Sequence, residues 1–150
     1  MKTHLAAALI CIVLAAIALR DRLGSGQPAP SPDVTVYAML DAARNGDVES
    51  WLAVYTGNLA SSFRAAAKEQ SDAGFRAWLK STDASLKGVA LQPPERLSDD
   101  TVRMQVEYVF ADRNEKQTVY LCLVNGAWKI ERLDAAARVP TLVPYGTHVD

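Results

Sequence analysis

Histidine and cysteine are scarce in this chain of 150 residues, which contains two of each. His4 and His148 lie close to the two termini, so the body of the chain offers no histidine for an acid–base pair, a catalytic triad or a histidine metal site. Cys11 lies inside an apolar N-terminal segment, and Cys122 lies in a strand-like run. Once that segment is removed, no intrachain disulfide is possible, and the domain depends on its core for stability.

An excess of charge of one sign is also missing. The chain has 16 basic and 17 acidic residues, a formal net charge of −1, and the two signs are interspersed. This balance gives no electrostatic footprint for nucleic acid or for an anionic membrane surface. The sequence also lacks a glycine-rich phosphate loop, a cysteine pair and an acidic metal loop, so we expect no metal and no cofactor.

The hydrophobic residues, 49% of the chain, are unevenly distributed. Every residue from Leu5 to Leu19 is apolar, with Lys2 before the run and Arg20 and Arg22 after it. As a helix this run would cover about 22 Å, which is shorter than the roughly 30 Å hydrocarbon core of a bilayer. Residues 1–22 are therefore predicted to be a signal peptide or a membrane anchor, and contact with the membrane is expected only through residues 5–19.

Two outcomes are open for this segment. Ala16 and Ala18 supply the small residues that a signal peptidase accepts, and cleavage after them would release the domain. Alternatively, Arg20 and Arg22 snorkel and an uncleaved helix remains as an anchor. Both predict a domain outside the cytoplasm, periplasmic or secreted, with residues 23–32 as a linker rich in Gly, Ser and Pro. A reversed topology, with a cytoplasmic domain, is a third arrangement.

Capping residues and apolar periodicity predict four helical segments before Gly88. The first begins at Ser31-Pro32-Asp33 and stops at Asn45-Gly46. Asp47 caps a short second helix that ends near residues 56–57, and a weaker third segment precedes Ser71-Asp72. The fourth helix has the clearest apolar stripe, which consists of Phe75, Trp78, Leu79, Thr82 and Leu86.

After Gly88 the apolar spacing changes to strict alternation, which predicts strands at residues 89–92, 95–97, 101–110, 117–124 and 127–133. Asn125-Gly126 predicts a two-residue hairpin turn between the last two. That turn fixes the pairs Val124–Ala127, Leu123–Trp128, Leu121–Ile130 and Val119–Arg132. A symmetric loop between Phe110 and Gln117 adds the pairs Met104–Leu123, Val106–Leu121 and Tyr108–Val119, so three strands share one core face.

The opposite face of this sheet is predicted to be polar. Helices followed by an antiparallel meander indicate an α+β fold in which the helices cover one face of the sheet. A mixed polar face is typical of solvent exposure, and the alternative is a subunit interface in a homodimer. The predicted rows on this face are Glu107, Tyr120 and Glu131, followed by Gln105, Cys122 and Lys129.

Three segments carry a family resemblance: YAMLDAARNGDVESWLAVY, VRMQVEYVF and TVYLCLVNGAWKIERLD. Together they resemble the nuclear transport factor 2-like superfamily, which includes ketosteroid isomerase and the SnoaL-like proteins. The resemblance covers residues 33–134 and implies a cystatin-like cone in which N-terminal helices pack on a curved antiparallel sheet around a pocket. It places the domain at residues 33–137, followed by an extended tail at 138–150.

The resemblance to ketosteroid isomerase does not extend to its catalytic residues. Those enzymes use a tyrosine on the first helix, about eight residues before an acid that matches Asp47, and Met39 stands at that offset here. Tyr37 lies two residues earlier, a rotation of about 200° around the helix. An isomerase or dehydratase that uses Tyr37 or Tyr55 with Asp41 or Glu107 is therefore the alternative to a domain without enzymatic activity.

Three of the pocket candidates lie on the predicted core face of the sheet. Arg132 shares this face with Trp128 in the predicted register, and Tyr108 lies two strands away, so Arg132 and Tyr108 are expected at a pocket mouth. The competing interpretation is an arginine at the sheet end that reaches water. The leading hypothesis is a non-enzymatic domain that binds a small apolar ligand or an envelope protein, and a dimerisation module is a further alternative. The candidate residues are Tyr37, Tyr55, Tyr108, Arg132 and Trp128.

Overall fold

The computed structural model describes residues 30–140, in which three helices precede a six-stranded antiparallel sheet. The sheet order is β1-β3-β4-β5, with β2 paired to β3 and β6 paired to β4. The predicted α+β class, with helices packed on a curved antiparallel sheet, is confirmed. The helices are α1 (Pro32–Asn45), α2 (Val48–Ala53) and α3 (Gly57–Ala84), and the strands are β1 (Leu86–Leu91), β2 (Glu95–Arg96), β3 (Thr101–Phe110), β4 (Asn114–Val124), β5 (Ala127–Leu133) and β6 (Ala137–Val139).

The predicted signal or anchor at residues 1–22 lies outside the described residues, as do most of the linker and most of the C-terminal tail. Between residues 30 and 140, no helix combines the length and the apolar character needed to cross a membrane.

The turn between α1 and α2 follows the sequence prediction. Gly46 adopts a left-handed conformation, φ 67°, and its N–H bonds the carbonyls at the end of α1. Asp47 then caps α2, because its Oδ1 accepts a hydrogen bond from the Ser50 N–H at 3.0 Å. These two contacts confirm the predicted end of α1 and the predicted start of α2.

The third and fourth predicted helices form one element of 28 residues that is kinked at Ser71, at the predicted boundary. The predicted end of the fourth helix is wrong, since α3 stops at Ala84 and Leu86 begins β1. At the observed end, Ser85 Oγ donates to the Thr82 carbonyl at 2.7 Å, and that carbonyl is the one that the N–H of residue 86 would use in a continuing helix. Such local bonds compete with continuation of the helix.

The backbone conformation of Ser71 at the kink predicts an effect on stability. Ser71 has φ 64° and ψ 156°, a region that essentially only glycine occupies without strain. Ser71→Gly is therefore expected to raise the free energy of unfolding by about 1 kcal/mol. Ser81→Gly, in regular helix of the same element, is the matched control and should lower it by about 0.5 kcal/mol. Urea unfolding followed by circular dichroism measures both. Ser71→Gly also removes the hydrogen bond from the Gly74 N–H to Ser71 Oγ, which costs a few tenths of a kcal/mol. A larger loss of stability in this variant would show that the kink stores no strain.

The predicted core face of the sheet is confirmed. Val106, Leu121 and Ile130 are fully buried, one on each of the three long strands. They pack beneath the apolar faces of the helices, so the core lies between the two layers. The other buried residues on this face of the sheet are Val102, Met104 and Val119.

The predicted register between β3 and β4 is wrong. Met104 lies opposite Val119, and Tyr108 lies opposite Glu115. The loop is shorter than predicted, because the Phe110 N–H bonds the Arg113 carbonyl at 2.8 Å and β4 begins directly afterwards. The pairing moves by an even number of residues, so each side chain stays on its predicted face.

The hairpin register is confirmed from Val124–Ala127 to Leu121–Ile130, but the pair Val119–Arg132 is wrong. A bulge at Glu131 of β5 lies between the pairs Leu121–Ile130 and Tyr120–Arg132, so that Tyr120 faces Arg132 and Val119 faces Leu133. Arg132 therefore lies on the outer face, with its guanidinium carbon 3.5 Å from the centre of the Tyr120 ring.

The rows of side chains on the outer face also differ from the prediction, because the β3–β4 register is shifted and the β4–β5 hairpin contains a bulge. Glu107 lies opposite Lys116, and Tyr120 lies between Arg103 and Arg132. Gln105 faces Thr118. Of the predicted cross-strand neighbours on this face, the pair Cys122–Lys129 is confirmed. A homodimer through this face stays a prediction.

Candidate functional site: a cavity between the helices and the sheet

A cavity of about 390 Å³ lies between the three helices and the inner face of the sheet. All three helices and strands β1, β3, β4 and β5 contribute to its walls, so it is a product of the layered fold. Its size falls within the range of small-molecule sites. The aliphatic part of its lining includes Met39, Leu40, Ala43, Leu79, Leu86 and Leu133.

The helix side of the cavity is an aromatic wall made of Trp51, Tyr55, Phe63 and Trp78. The Trp51 ring centre lies 4.7 Å from that of Tyr55, 4.9 Å from that of Phe63 and 6.0 Å from that of Trp78. Trp51 and Tyr55 are buried, whereas Trp78 is 42% exposed. The wall therefore runs from the core to the protein surface.

The sheet side of the cavity carries polar groups. The Tyr108 hydroxyl donates to Gln117 Oε1 at 3.3 Å, and Gln117 Nε2 donates to the Asp134 carbonyl at 2.9 Å. The observed β3–β4 register brings Gln117 and Glu115 opposite Val106 and Tyr108 on the inner face. An otherwise apolar cavity thus has a hydrogen-bonding wall.

Two carboxylates reach the cavity, Asp83 from α3 and Glu115 from β4. Their side chains are 13% and 26% exposed. Arg44 Nε lies 3.4 Å from Asp83 Oδ2, and Arg113 Nε donates to Glu115 Oε1 at 2.6 Å. Sequence reasoning missed both residues, although the alternation of β4, continued backwards from Val119, places Glu115 on the inner face.

Burial affects the two tyrosines of the cavity. It raises the pKa of Tyr108 to about 12, and it raises the pKa of Tyr55 further, with a contribution from the nearby Tyr108. Both side chains are therefore neutral phenols at physiological pH and present hydroxyl groups, not charges.

A titration tests this burial. Because folding raises the pKa of Tyr108 from 10.0 to about 12, its contribution to stability is complete below pH 10 and is lost as the pH rises towards 12. In the full chain we expect the tyrosinate absorbance of Tyr55 and Tyr108 to appear together with unfolding. Tyr108→Phe should flatten the loss of stability above pH 10. If both groups ionise below pH 10.5 in the folded protein, the two tyrosine side chains are not buried.

The predicted pocket residues do not all lie at the cavity. Tyr55 and Tyr108 line the cavity. Tyr37 is 48% exposed on α1, and Trp128 packs against the core from β5, where its carbonyl accepts a hydrogen bond from Thr35 Oγ1 at 3.1 Å. The predicted pairing of Arg132 with Tyr108 is wrong, because the bulge in the hairpin turns Arg132 to the outer face.

The carboxylates considered for an isomerase also lie away from the cavity. Asp41 has a side chain that is 67% exposed and pairs with Arg44 at 3.2 Å. Glu107 lies on the outer face, where it accepts a hydrogen bond from Asn114 Nδ2 at 2.8 Å. Met39, which stands at the tyrosine position of the isomerase pattern, does line the cavity.

In the part of the chain that the structure describes, no three acidic, histidine or cysteine side chains are grouped to hold a metal.

No protein-family model and no curated protein matches this chain. Solved structures do match. A cystatin-like domain of unknown function from Nostoc punctiforme is 16% identical, with a TM-score of 0.43, over 73% of this chain and 75% of that chain. A nuclear transport factor 2-like protein of unknown function from Silicibacter pomeroyi is 17% identical, with a TM-score of 0.44, over 68% and 92%. A ketosteroid isomerase-like protein from Erwinia carotovora is 13% identical, with a TM-score of 0.45, over 77% and 99%.

Proposed function

We propose that this domain is a non-enzymatic binding module that takes a small, largely apolar ligand into the cavity between its helices and its sheet. The observation that carries the proposal is the cavity of about 390 Å³, with its aromatic wall and its few polar groups. Apolar walls with a small number of placed polar groups are the usual composition of ligand pockets. A protein partner from the cell envelope is the competing occupant.

The absence of catalysis is supported by the state of the two carboxylates. A general base must be within hydrogen-bond reach of the proton that it takes. Glu115 is already bonded to Arg113 at 2.6 Å, and Asp83 is paired with Arg44 at 3.4 Å. Each carboxylate is therefore held in an ion pair, and residues 30–140 contain no histidine that could serve as a base in its place.

The position of the domain in the cell is part of the proposal. The apolar run from Leu5 to Leu19 and the linker that follows it support export of the domain, either released or tethered to the membrane. A cavity on that side of the membrane would bind molecules that are present in the periplasm or outside the cell.

Filling the cavity tests the proposal. Ala43 on α1 lines the cavity, whereas Ala38 on the same helix is exposed. In Ala43→Phe, binding of the neutral apolar fluorophore N-phenylnaphthylamine should weaken by roughly tenfold or more, because the new ring occupies the space of the ligand. Fluorescence titration of the wild type and both variants measures this.

Ala38→Phe is the matched control, since it adds the same ring to the same helix outside the cavity. It should bind the fluorophore like the wild type. If the two variants behave alike, or if the wild type shows no saturable binding, the cavity is not a ligand site. Thermal melting of each variant separates lost binding from lost folding.

A further inference from the structure

We propose that the ligand of this cavity is a small organic cation with an apolar body, held between the aromatic wall and the carboxylates of Asp83 and Glu115. The inference rests on the proposed function, because it specifies the chemistry of the molecule that the same cavity binds.

The charge of the lining is the first argument. Asp83 and Glu115 are the charged side chains that line the cavity within residues 30–140, and both are acidic. They are largely withdrawn from water, with side chains that are 13% and 26% exposed. Partly buried charges act on a ligand more strongly than exposed ones, since water screens them less. Within residues 30–140, no cationic side chain lines the cavity to attract an anionic ligand.

The ion pairs of these carboxylates leave room for a ligand. Arg44 and Arg113 do not line the cavity, although each pairs with a carboxylate that does. Arg113 Nε bonds Oε1 of Glu115, and no hydrogen bond within the described residues reaches its Oε2. A carboxylate has about four acceptor positions, so Glu115 retains the capacity to accept from a ligand.

The aromatic rings supply the second half of a cation site. Trp51, Tyr55 and Trp78 line the cavity from the helices, and Tyr108 and Phe110 line it from the sheet. The faces of such rings attract ammonium and guanidinium groups. Phe110 already does so in this structure, because the Arg113 guanidinium carbon lies 4.1 Å from its ring centre. Aromatic faces together with a nearby carboxylate are the chemistry that recognises alkylammonium groups.

Three probes with one skeleton test the charge preference: phenethyltrimethylammonium, its neutral analogue with tert-butyl in place of trimethylammonium, and phenylpropanoate. The quaternary ammonium keeps its charge at every pH. Binding is followed by tryptophan emission in the full chain carrying Trp128→Phe, which leaves Trp51 and Trp78 of the cavity as reporters. We expect the cation to bind at least roughly tenfold more tightly than the anion.

Charge-removing variants locate the site. Glu115→Gln and Asp83→Asn should each weaken binding of the cation by roughly three- to tenfold and leave the neutral analogue unchanged. Glu107→Gln is the matched control for Glu115, since its side chain is 23% exposed but lies on the outer face of the same sheet. Asp41→Asn is the control for Asp83, because Asp41 contacts the same Arg44 from the exposed side of α1. Neither control should change binding of any probe.

The outcomes distinguish a failure of the cation inference from a failure of the proposed function. If the neutral analogue binds and Ala43→Phe abolishes its binding, but the cation binds no better than the anion, the cavity is a ligand site and the cation inference is wrong. If no probe binds, both proposals are wrong. Equal effects of Glu115→Gln and Glu107→Gln on the cation would also overturn the inference. The probe comparison in the protein without charge substitutions keeps the test decisive if a variant fails to fold.

Discussion

Trp51→Ala is expected to lower the free energy of unfolding by about 3–5 kcal/mol, the range for removal of a large buried aromatic side chain. Trp51 is 6% exposed and lies at the centre of the aromatic cluster. Its ring centre is within 6.0 Å of those of four other aromatic residues. These residues come from α2, α3 and the segment that joins them, so the substitution removes contacts that connect α2 with α3. Chemical denaturation of the full chain measures the loss.

Trp128→Ala is the control for this loss. Trp128 is half-buried and packs against the core from β5, so its removal should lower stability by less than half as much. A loss below about 1 kcal/mol for Trp51→Ala would contradict its place at the centre of the cluster. The result matters for function as well, because Trp51 forms part of the cavity wall.

Gly46→Ala is expected to lower the free energy of unfolding by about 2–3 kcal/mol, from backbone strain and a steric clash together. Gly46 has φ 67°, and a Cβ atom there would lie 2.7 Å from both Arg76 Cγ and Lys80 Cε on α3. A Cβ atom at Gly46 therefore requires the Arg76 and Lys80 side chains of α3 to shift. Thermal and urea unfolding of the variant measure the effect.

Gly57→Ala isolates the backbone part of this effect. Gly57 has a similar φ of 61°, but nothing lies within 4 Å of the position of its Cβ. It should therefore lose about 1 kcal/mol, the strain alone. Equal losses at Gly46 and Gly57 would contradict close packing between the turn and α3.

Local signals were sufficient for most of the elements and for their buried faces, although β6 and the end of α3 were not predicted. Asp47 caps α2 as its sequence context indicates, and Asn125-Gly126 forms the predicted hairpin turn. Alternation along β3 placed Val102, Met104 and Val106 on the core face, because side-chain direction in a strand depends on parity alone. A register shift by an even number of residues leaves each side chain on the same face of the sheet. The core face was therefore predicted correctly, although the partner residues on β4 were not.

The cavity depends on features that leave little trace in local sequence. The short loop before Asn114 set the β3–β4 register and brought Glu115 and Gln117 to the cavity, and loop length between strands follows from packing as much as from composition. The bulge in the hairpin turned Arg132 outward, and neither glycine nor proline marks it. Asp83 is a helix residue whose place in the cavity follows from how α3 packs against α1.

The most direct test of a ligand site in this cavity is native mass spectrometry of the full protein purified from the envelope or medium of the cell that produces it. A bound ligand predicts a one-to-one complex with a small molecule in the wild type and in Ala38→Phe. The same complex should be absent in Ala43→Phe, whose added ring fills the cavity. A wild-type protein that carries no small molecule, or a complex that persists unchanged in Ala43→Phe, would contradict the central claim that this cavity binds a ligand.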